Sequence, residues 1–332
     1  MRKLWLIGAL CAALPLAAAA GETTVGGFVD ASWSYDAAAR AGVFGLDQAE
    51  LDVVHQAGER ASVHADLEWL KAGEGFTAQV EQAYLSYAAR CGWTLDFGRF
   101  NAPLGLEVTD PTGMFQFSHS LLFTYCAPTN LTGLKVSRAL GGGWDLAAHL
   151  SNGWDRQTAD KHATAGGRLG LVKGGFSGGL GALSGTEETP AADEGAPAWT
   201  RTRTVWDSDL TYVAGKWRLG GEVSLGDVSG TVGDARWQGF TAMAHVDLNE
   251  WSGLTVRVDR LDDQDGYLFG PVAGAFQVRN ELTIAPTFTL DEGLGAVVEL
   301  RVDHSDRDAF TDADGLPTDS AVTMAVELTG SW

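Results

Sequence analysis

The chain has 332 residues, with 23 basic side chains against 43 acidic ones and a formal net charge of −20. That balance disfavours nucleic acid or an anionic membrane surface as a partner. With 43 glycines, 12 tryptophans and 9 prolines, the composition suits many short strands and tight turns better than helices.

In chain order, Arg2 and Lys3 precede an apolar run from Leu4 to Leu16, and Ala18, Ala19 and Ala20 offer a cleavage site before Gly21. Residues 1–20 read as a secretory signal peptide and are set aside from the fold. Cys11 lies within the apolar run and follows Leu10, which argues against lipid attachment. Beyond residue 20 no stretch approaches the roughly 18 apolar residues of a membrane-spanning helix. The remaining body, 21–332, is expected to be one exported domain.

Period-two alternation then runs to the C-terminus and gives sixteen candidate strands. The first, near 24–35, sets Val25, Val29, Ala31, Trp33 and Tyr35 against Thr24, Asp30, Ser32 and Ser34. The third, near 60–69, sets Ala61, Val63, Ala65, Leu67 and Trp69 against Arg60, Ser62, His64, Asp66 and Glu68. Around 76–87 the apolar residues Val80, Ala83, Leu85 and Tyr87 change phase, which suggests a bulge or a shifted register. The eleventh alternates Trp217, Leu219, Val223 and Leu225 with Arg218, Glu222 and Ser224. Pro286 sits inside the fourteenth, where it cannot donate a ladder hydrogen bond, so a second bulge is expected there. The last strand alternates Val322, Met324, Val326 and Leu328 with Thr323, Glu327 and Thr329, and ends on Trp332. In a bilayer, hydrocarbon covers such an apolar row while the polar row faces a wet lumen.

Short turns near 57–59, 90–91, 139–142, 173–174, 214–215, 249–252 and 291–292 alternate with longer loops near 36–44, 100–130, 155–161, 187–200, 227–234, 262–276 and 305–318. The segment 71–74 is a short exception. An even strand count, with short turns at one end and long loops at the other, predicts an all-β transmembrane antiparallel barrel of about 16 strands. Trp33, Tyr35, Trp69, Tyr87, Trp93, Trp144, Tyr212, Trp217 and Trp332 fall near strand ends, where interfacial girdles form. Cys91 belongs to a short turn and Cys126 to the longest loop, towards opposite ends of the barrel, so two unpaired thiols are favoured, with a disulfide fixing the long loop as the alternative if that loop plunges deep.

Local motifs point the same way. Gly27–Asp36 (GFVDASWSYD), Phe44–Val53 (FGLDQAELDV), Val80–Tyr87 (VEQAYLSY), Phe97–Pro111 (FGRFNAPLGLEVTDP) and Asn152–Asp155 (NGWD) resemble the β-barrel porin-2, or OmpL-like, outer-membrane family. So do Arg257–Gly266 (RVDRLDDQDG) and Val298–Phe310 (VELRVDHSDRDAF). The resemblance covers essentially the whole chain from residue 24 and implies an outer-membrane channel, without specifying a solute or any catalytic residue.

A barrel of about 16 strands leaves an aqueous bore, so something must set its size limit. The segment Asn101–Asn130 holds Phe115, Phe117, Leu121, Leu122, Phe123 and Tyr125, too apolar a set to stand in solvent, and is expected to fold inward, with an external cap packed on neighbouring loops as the alternative. Glu107 and Asp110 on this loop are pore candidates. Lys135, Arg168, Arg203, Arg218, Arg257 and Arg301 occupy inward positions, with Asp66, Glu68, Asp96, Glu222, Asp259, Glu281 and Glu299. Opposed acidic and basic rows would set up a transverse field that orients polar solutes; pairing across strands is the simpler fate of any one of them. The acidic excess favours cations.

Weaker signals are absorbed by this reading. Gly175–Gly179 has the G-x-S-x-G form of a hydrolase elbow, but no helix follows Ser177 and no catalytic role is expected. The histidines lack metal-ligand spacing, and no cofactor or metal is expected. Asp262, Asp263 and Asp265, like Asp306, Asp308, Asp312 and Asp314, miss the calcium-loop pattern and read as solvated loop acids, with weak divalent binding near lipopolysaccharide as the alternative. The expected partners are outer-membrane lipid and lipopolysaccharide, the barrel-assembly machinery through the strand ending at Trp332, small polar solutes, and further copies of the chain. A receptor or adhesin barrel acting through its external loops is the alternative function, and a soluble secreted β protein comes third.

Overall fold

The computed structural model describes residues 21–158, 161–189, 199–231, 233–269 and 276–332. The expected signal peptide lies outside these residues, as do parts of the loops expected near 155–161, 187–200, 227–234 and 262–276. Strands form where the side chains alternate: β1 (Thr23–Asp36), β2 (Ala41–Gln56), β3 (Ala61–Ala72), β4 (Gly75–Ala88), β5 (Thr94–Asn101), β6 (Asn130–Gly141), β7 (Trp144–Ser151) and β8 (Thr164–Lys173). They continue with β9 (Phe176–Thr189), β10 (Trp199–Ala214), β11 (Trp217–Gly230), β12 (Ala235–Asp247), β13 (Ser252–Asp263), β14 (Gln277–Asp291) and β15 (Leu294–Ser305). A small hairpin of β16 (Phe310–Thr311) and β17 (Pro317–Thr318) precedes the closing strand β18 (Ser320–Ser331).

Among the described residues, sixteen of these strands form one closed antiparallel barrel, and β18 seals it against β1 from Phe28↔Ser331 to Asp36↔Thr323. The wall is apolar outside and polar inside. On β18 alone, Leu328 is 47% exposed while Glu327 beside it is 1% exposed. No helix among the described residues is long and apolar enough to cross a membrane, which says nothing of a β-barrel. Trp69, Tyr87, Trp144, Trp217 and Trp332 are exposed at strand ends, and Trp33 stacks on Tyr35 at 6.3 Å. Trp237, by contrast, is buried inside the barrel.

The phase change near 76–87 is a bulge. Asp66 pairs with Gln82 but Leu67 pairs with Val80, so Glu81 is an extra residue in β4. A second bulge inserts Asp47 into β2, between Asp30↔Gln48 and Ala31↔Leu46. The bulge expected at Pro286 is absent: Leu254 pairs with Pro286, and β14 keeps one register against β15 from Ile284↔Leu300 to Thr287↔Val297. The missing Pro N–H is accommodated without an extra residue, and the register shift falls later, between Thr289 and Asp291.

The loop expected at 36–44 is also shorter than the sequence suggests. β1 and β2 pair out to Asp36↔Ala41, leaving four residues to turn, with Arg40 at φ 50° and the Ala38 N–H donating to Asp36 Oδ1 at 2.7 Å. Ser177 sits on β9 in register with Val172 and Thr211, within continuous sheet. Cys91 is exposed, Cys126 is buried, and both are free, as expected.

Candidate functional site

The segment between β5 and β6 does not leave the barrel mouth; it crosses the lumen. Its peptide groups meet carboxylates on the far wall in succession. Gly105 N–H donates to Asp207 at 3.2 Å and Leu106 N–H to Glu222 at 2.8 Å. Phe117 and Ser118 N–H both donate to Glu299 Oε2, at 2.8 and 3.1 Å. Leu121 N–H donates to Asp259 at 3.3 Å. Backbone donors that would be orphaned in a folded-back loop are thereby satisfied, which explains why acids occupy inward positions on β10, β11, β13 and β15.

Arg257 fastens the centre. It is fully buried, and its Nη1 donates to Glu107 Oε1 at 2.8 Å and to the Ser118 carbonyl at 2.6 Å. Its Nη2 donates to Glu281 at 2.5 Å, and its Nε lies 3.2 Å from Asp259. Arg301 donates to the His119 carbonyl at 2.9 Å and bridges Glu281 and Asp303. The other oxygen of Glu107 accepts from Ser120 N–H at 2.7 Å. Ser120 in turn caps the short helix α1 (Leu121–Tyr125) by accepting from Phe123 N–H. Leu121 and Leu122 then pack with Leu183, Val205, Val228, Trp237 and Leu261 in an apolar cluster inside the barrel. Phe115 stacks on His245 at 4.1 Å. The inward fold expected from these apolar side chains is thus what the structure has.

The remaining wall is different in kind. Glu327 on β18, Asp30 on β1, Asp47, Glu50 and Asp52 on β2, Asp66 and Glu68 on β3, and Glu81 on β4 gather on one side, and the one cation paired to them is Lys71, 3.7 Å from Asp47, among the described residues. Asp110, on the loop, faces this side. Burial, and then the charges of Glu81, Asp52, Asp66 and Glu68, push its carboxyl up to about 7.

A model of the family described as "Putative beta-barrel porin-2, OmpL-like" matches residues 46–331. The chain belongs to that family. A comparison with curated proteins finds no match. Among solved structures, the chain is similar to OmpT, expressed in the outer membrane of Vibrio cholerae, at TM-score 0.69 and 11% identity, covering 96% of this chain and 99% of the other. It is similar to an anion-selective porin from Comamonas acidovorans at TM-score 0.69 and 14% identity, covering 94% and 100%. It is also similar to the outer-membrane channel DcaP of Acinetobacter baumannii at TM-score 0.67 and 15% identity, covering 94% and 98%. This porin is therefore a diffusion channel of the outer membrane, and the geometry above describes its lumen.

Of the residues singled out from the sequence, the porin brings Glu107, Arg257, Asp259, Glu299 and Arg301 together under the loop. Lys135 pairs with Asp96 at 3.2 Å on another part of the wall. Arg168 makes two bonds to Asp209, and Arg218 reaches Asp247 at 2.7 Å. Arg203 lies 3.7 Å from Glu187 and stacks over Trp154 at 4.2 Å. The basic row is thus paired residue by residue, and the loop covers its middle. Alternation alone missed Asp47 and Glu81, because each is the extra residue of a bulge. Asp263, read as a solvated loop acid, is fully buried and accepts from the N–H groups of Tyr267, Leu268 and Phe269.

Docking of the loop is expected to depend on pH through Asp110. A carboxyl whose folded value is raised holds its proton in the docked loop at pH values where the undocked one has lost it, so docking weakens as pH rises from the ordinary carboxylate range up to about 7. Single-channel recordings at about pH 6 should show a lower conductance and weaker cation preference than at about pH 8. Asp110→Asn should hold the pH 6 behaviour at both values; a variant that keeps the wild-type difference would contradict this role.

Proposed function

We propose that this porin is a cation-preferring diffusion channel for small hydrophilic solutes, with its narrowest passage between the loop 102–129 and the acidic wall of β18 and β1–β4. The observation that carries this is the unequal pairing of charge. Arg168, Arg218, Arg257 and Arg301 each hold carboxylate partners, whereas the carboxylates of Glu50, Glu68 and Glu81 share no cation among the described residues. A bore lined by low-dielectric walls and one sign of fixed charge concentrates the opposite sign.

Residues 1–20 fit an export signal, and the terminal Trp332, 67% exposed beyond β18, suits a signal for barrel assembly. A trimer form of Vibrio cholerae OmpT favours a homo-oligomer here as well. Swelling of liposomes carrying the porin tests the solute preference. Cationic amino acids should enter faster than anionic ones of matched size, with neutral sugars between; the reverse order would reject the proposal.

A further inference from the structure

The bulge in β4 does more than add a charge. A bulge lets two successive side chains fall on one face, and Glu81 enters the interior beside Gln82 in this way. Its residue is 1% exposed, and neither carboxylate oxygen receives a hydrogen bond. The Asn101 side chain and Glu50 lie close enough to act on its charge but not in bonding geometry. A buried carboxylate without donors carries a large desolvation cost unless a cation or proton compensates it.

Its surroundings favour a cation. One carboxylate oxygen from each of Glu50, Glu68 and Glu81 lies within 4.8 Å of the others. Oxygens that close can touch a single ion at about 2.3–2.6 Å, the calcium–oxygen distance. Two of the three are held in place by amides: Gln48 Nε2 donates to Glu50 Oε2 at 3.2 Å and to Glu68 Oε2 at 3.1 Å, and Gln79 Nε2 donates to Glu68 Oε1 at 2.6 Å. Such outer partners orient metal-binding carboxylates. Glu81, the third, has no donor in hydrogen-bonding geometry on either oxygen. All-oxygen, all-carboxylate ligation suits calcium; magnesium keeps more of its water, and zinc prefers nitrogen and sulfur.

We propose that Glu50, Glu68 and Glu81 form a calcium site in the lumen, on the wall that faces Asp110 of the loop. A bound ion there neutralises the acidic wall and draws the loop towards it, so calcium lowers both conductance and cation preference. The inference rests on the cation-preferring reading of this same wall and adds a specific occupant.

Isothermal titration of the folded, chelator-treated porin in detergent with calcium chloride tests it. One saturable site per barrel is expected, with a Kd of about 10⁻⁴–10⁻³ M, and with a weaker response to magnesium chloride. Glu81→Gln should abolish the saturable heat, while Asp308→Asn on the external loop should leave it unchanged. Should Glu81→Gln fail to fold, Glu68→Gln serves in its place. Absence of saturable heat in the wild type, or heat unaffected by Glu81→Gln or Glu68→Gln, would overturn the site. Bilayer recording in chelator-buffered KCl separates the two ideas: a cation-preferring channel with no calcium heat removes the inference alone, and calcium heat without cation preference removes the broader reading alone.

Discussion

Replacing Arg257 by Ala should release the loop from the far wall and raise single-channel conductance more than any other single substitution in the lumen. Arg257 is the common partner of Glu107, Asp259 and Glu281, and all of these contacts are buried. Removing one partner of a buried ion pair costs about 3–5 kcal/mol, because the remaining charges lose their compensation. At about 1.4 kcal/mol per tenfold, that shifts the docked-to-undocked ratio by about 10²–10⁴. The barrel ladder does not depend on Arg257, so the variant should still show the mobility of a folded barrel on unheated gels. Adding Glu107→Gln to Arg257→Ala should restore part of the docking by removing one orphaned carboxylate. Unchanged conductance in Arg257→Ala would show that the loop is held by its apolar contacts alone.

The second large effect should come from the opposite wall. Glu50→Gln, Glu68→Gln and Asp110→Asn together should remove most of the preference for cations, measured as a reversal potential in a KCl gradient. The same triple variant should be more resistant to heat than the wild type. Like charges within 4.8 Å of one another repel by about 3 kcal/mol or more at an effective dielectric of about 20, and neutralising Glu50 and Glu68 removes such repulsions. Gain of stability with loss of selectivity is the signature of a wall kept acidic for transport. Loss of stability on neutralisation would mean that these acids serve the fold.

The barrel was legible because lipid and lumen impose opposite requirements on alternate residues, so that Glu327 and Leu328 report the two faces side by side. The inward loop was legible for a similar reason, since Phe115, Leu121 and Leu122 need cover that external solvent cannot give. What fastens the loop was not legible. Glu107 and Arg257 are 150 residues apart, and nothing in local periodicity joins them. The bulges hid Glu81 and Asp47 by reversing the phase on which the facing of side chains was read. Asp263 was misjudged because it lies among loop-like aspartates, while its burial depends on Tyr267, Leu268 and Phe269 folding back over it. Pro286 shows the converse: a residue that breaks a ladder by rule sits in one without disturbing its register.

The reversal potential of the wild-type porin in a KCl gradient, at about pH 8 and with chelator present, tests the central claim most directly. With Asp110 ionised and the acidic wall free of divalent ions, potassium should permeate in preference to chloride. A potential of the opposite sign would mean that the paired arginines still govern the bore, and the assignment of the acidic wall as the conducting surface would fail.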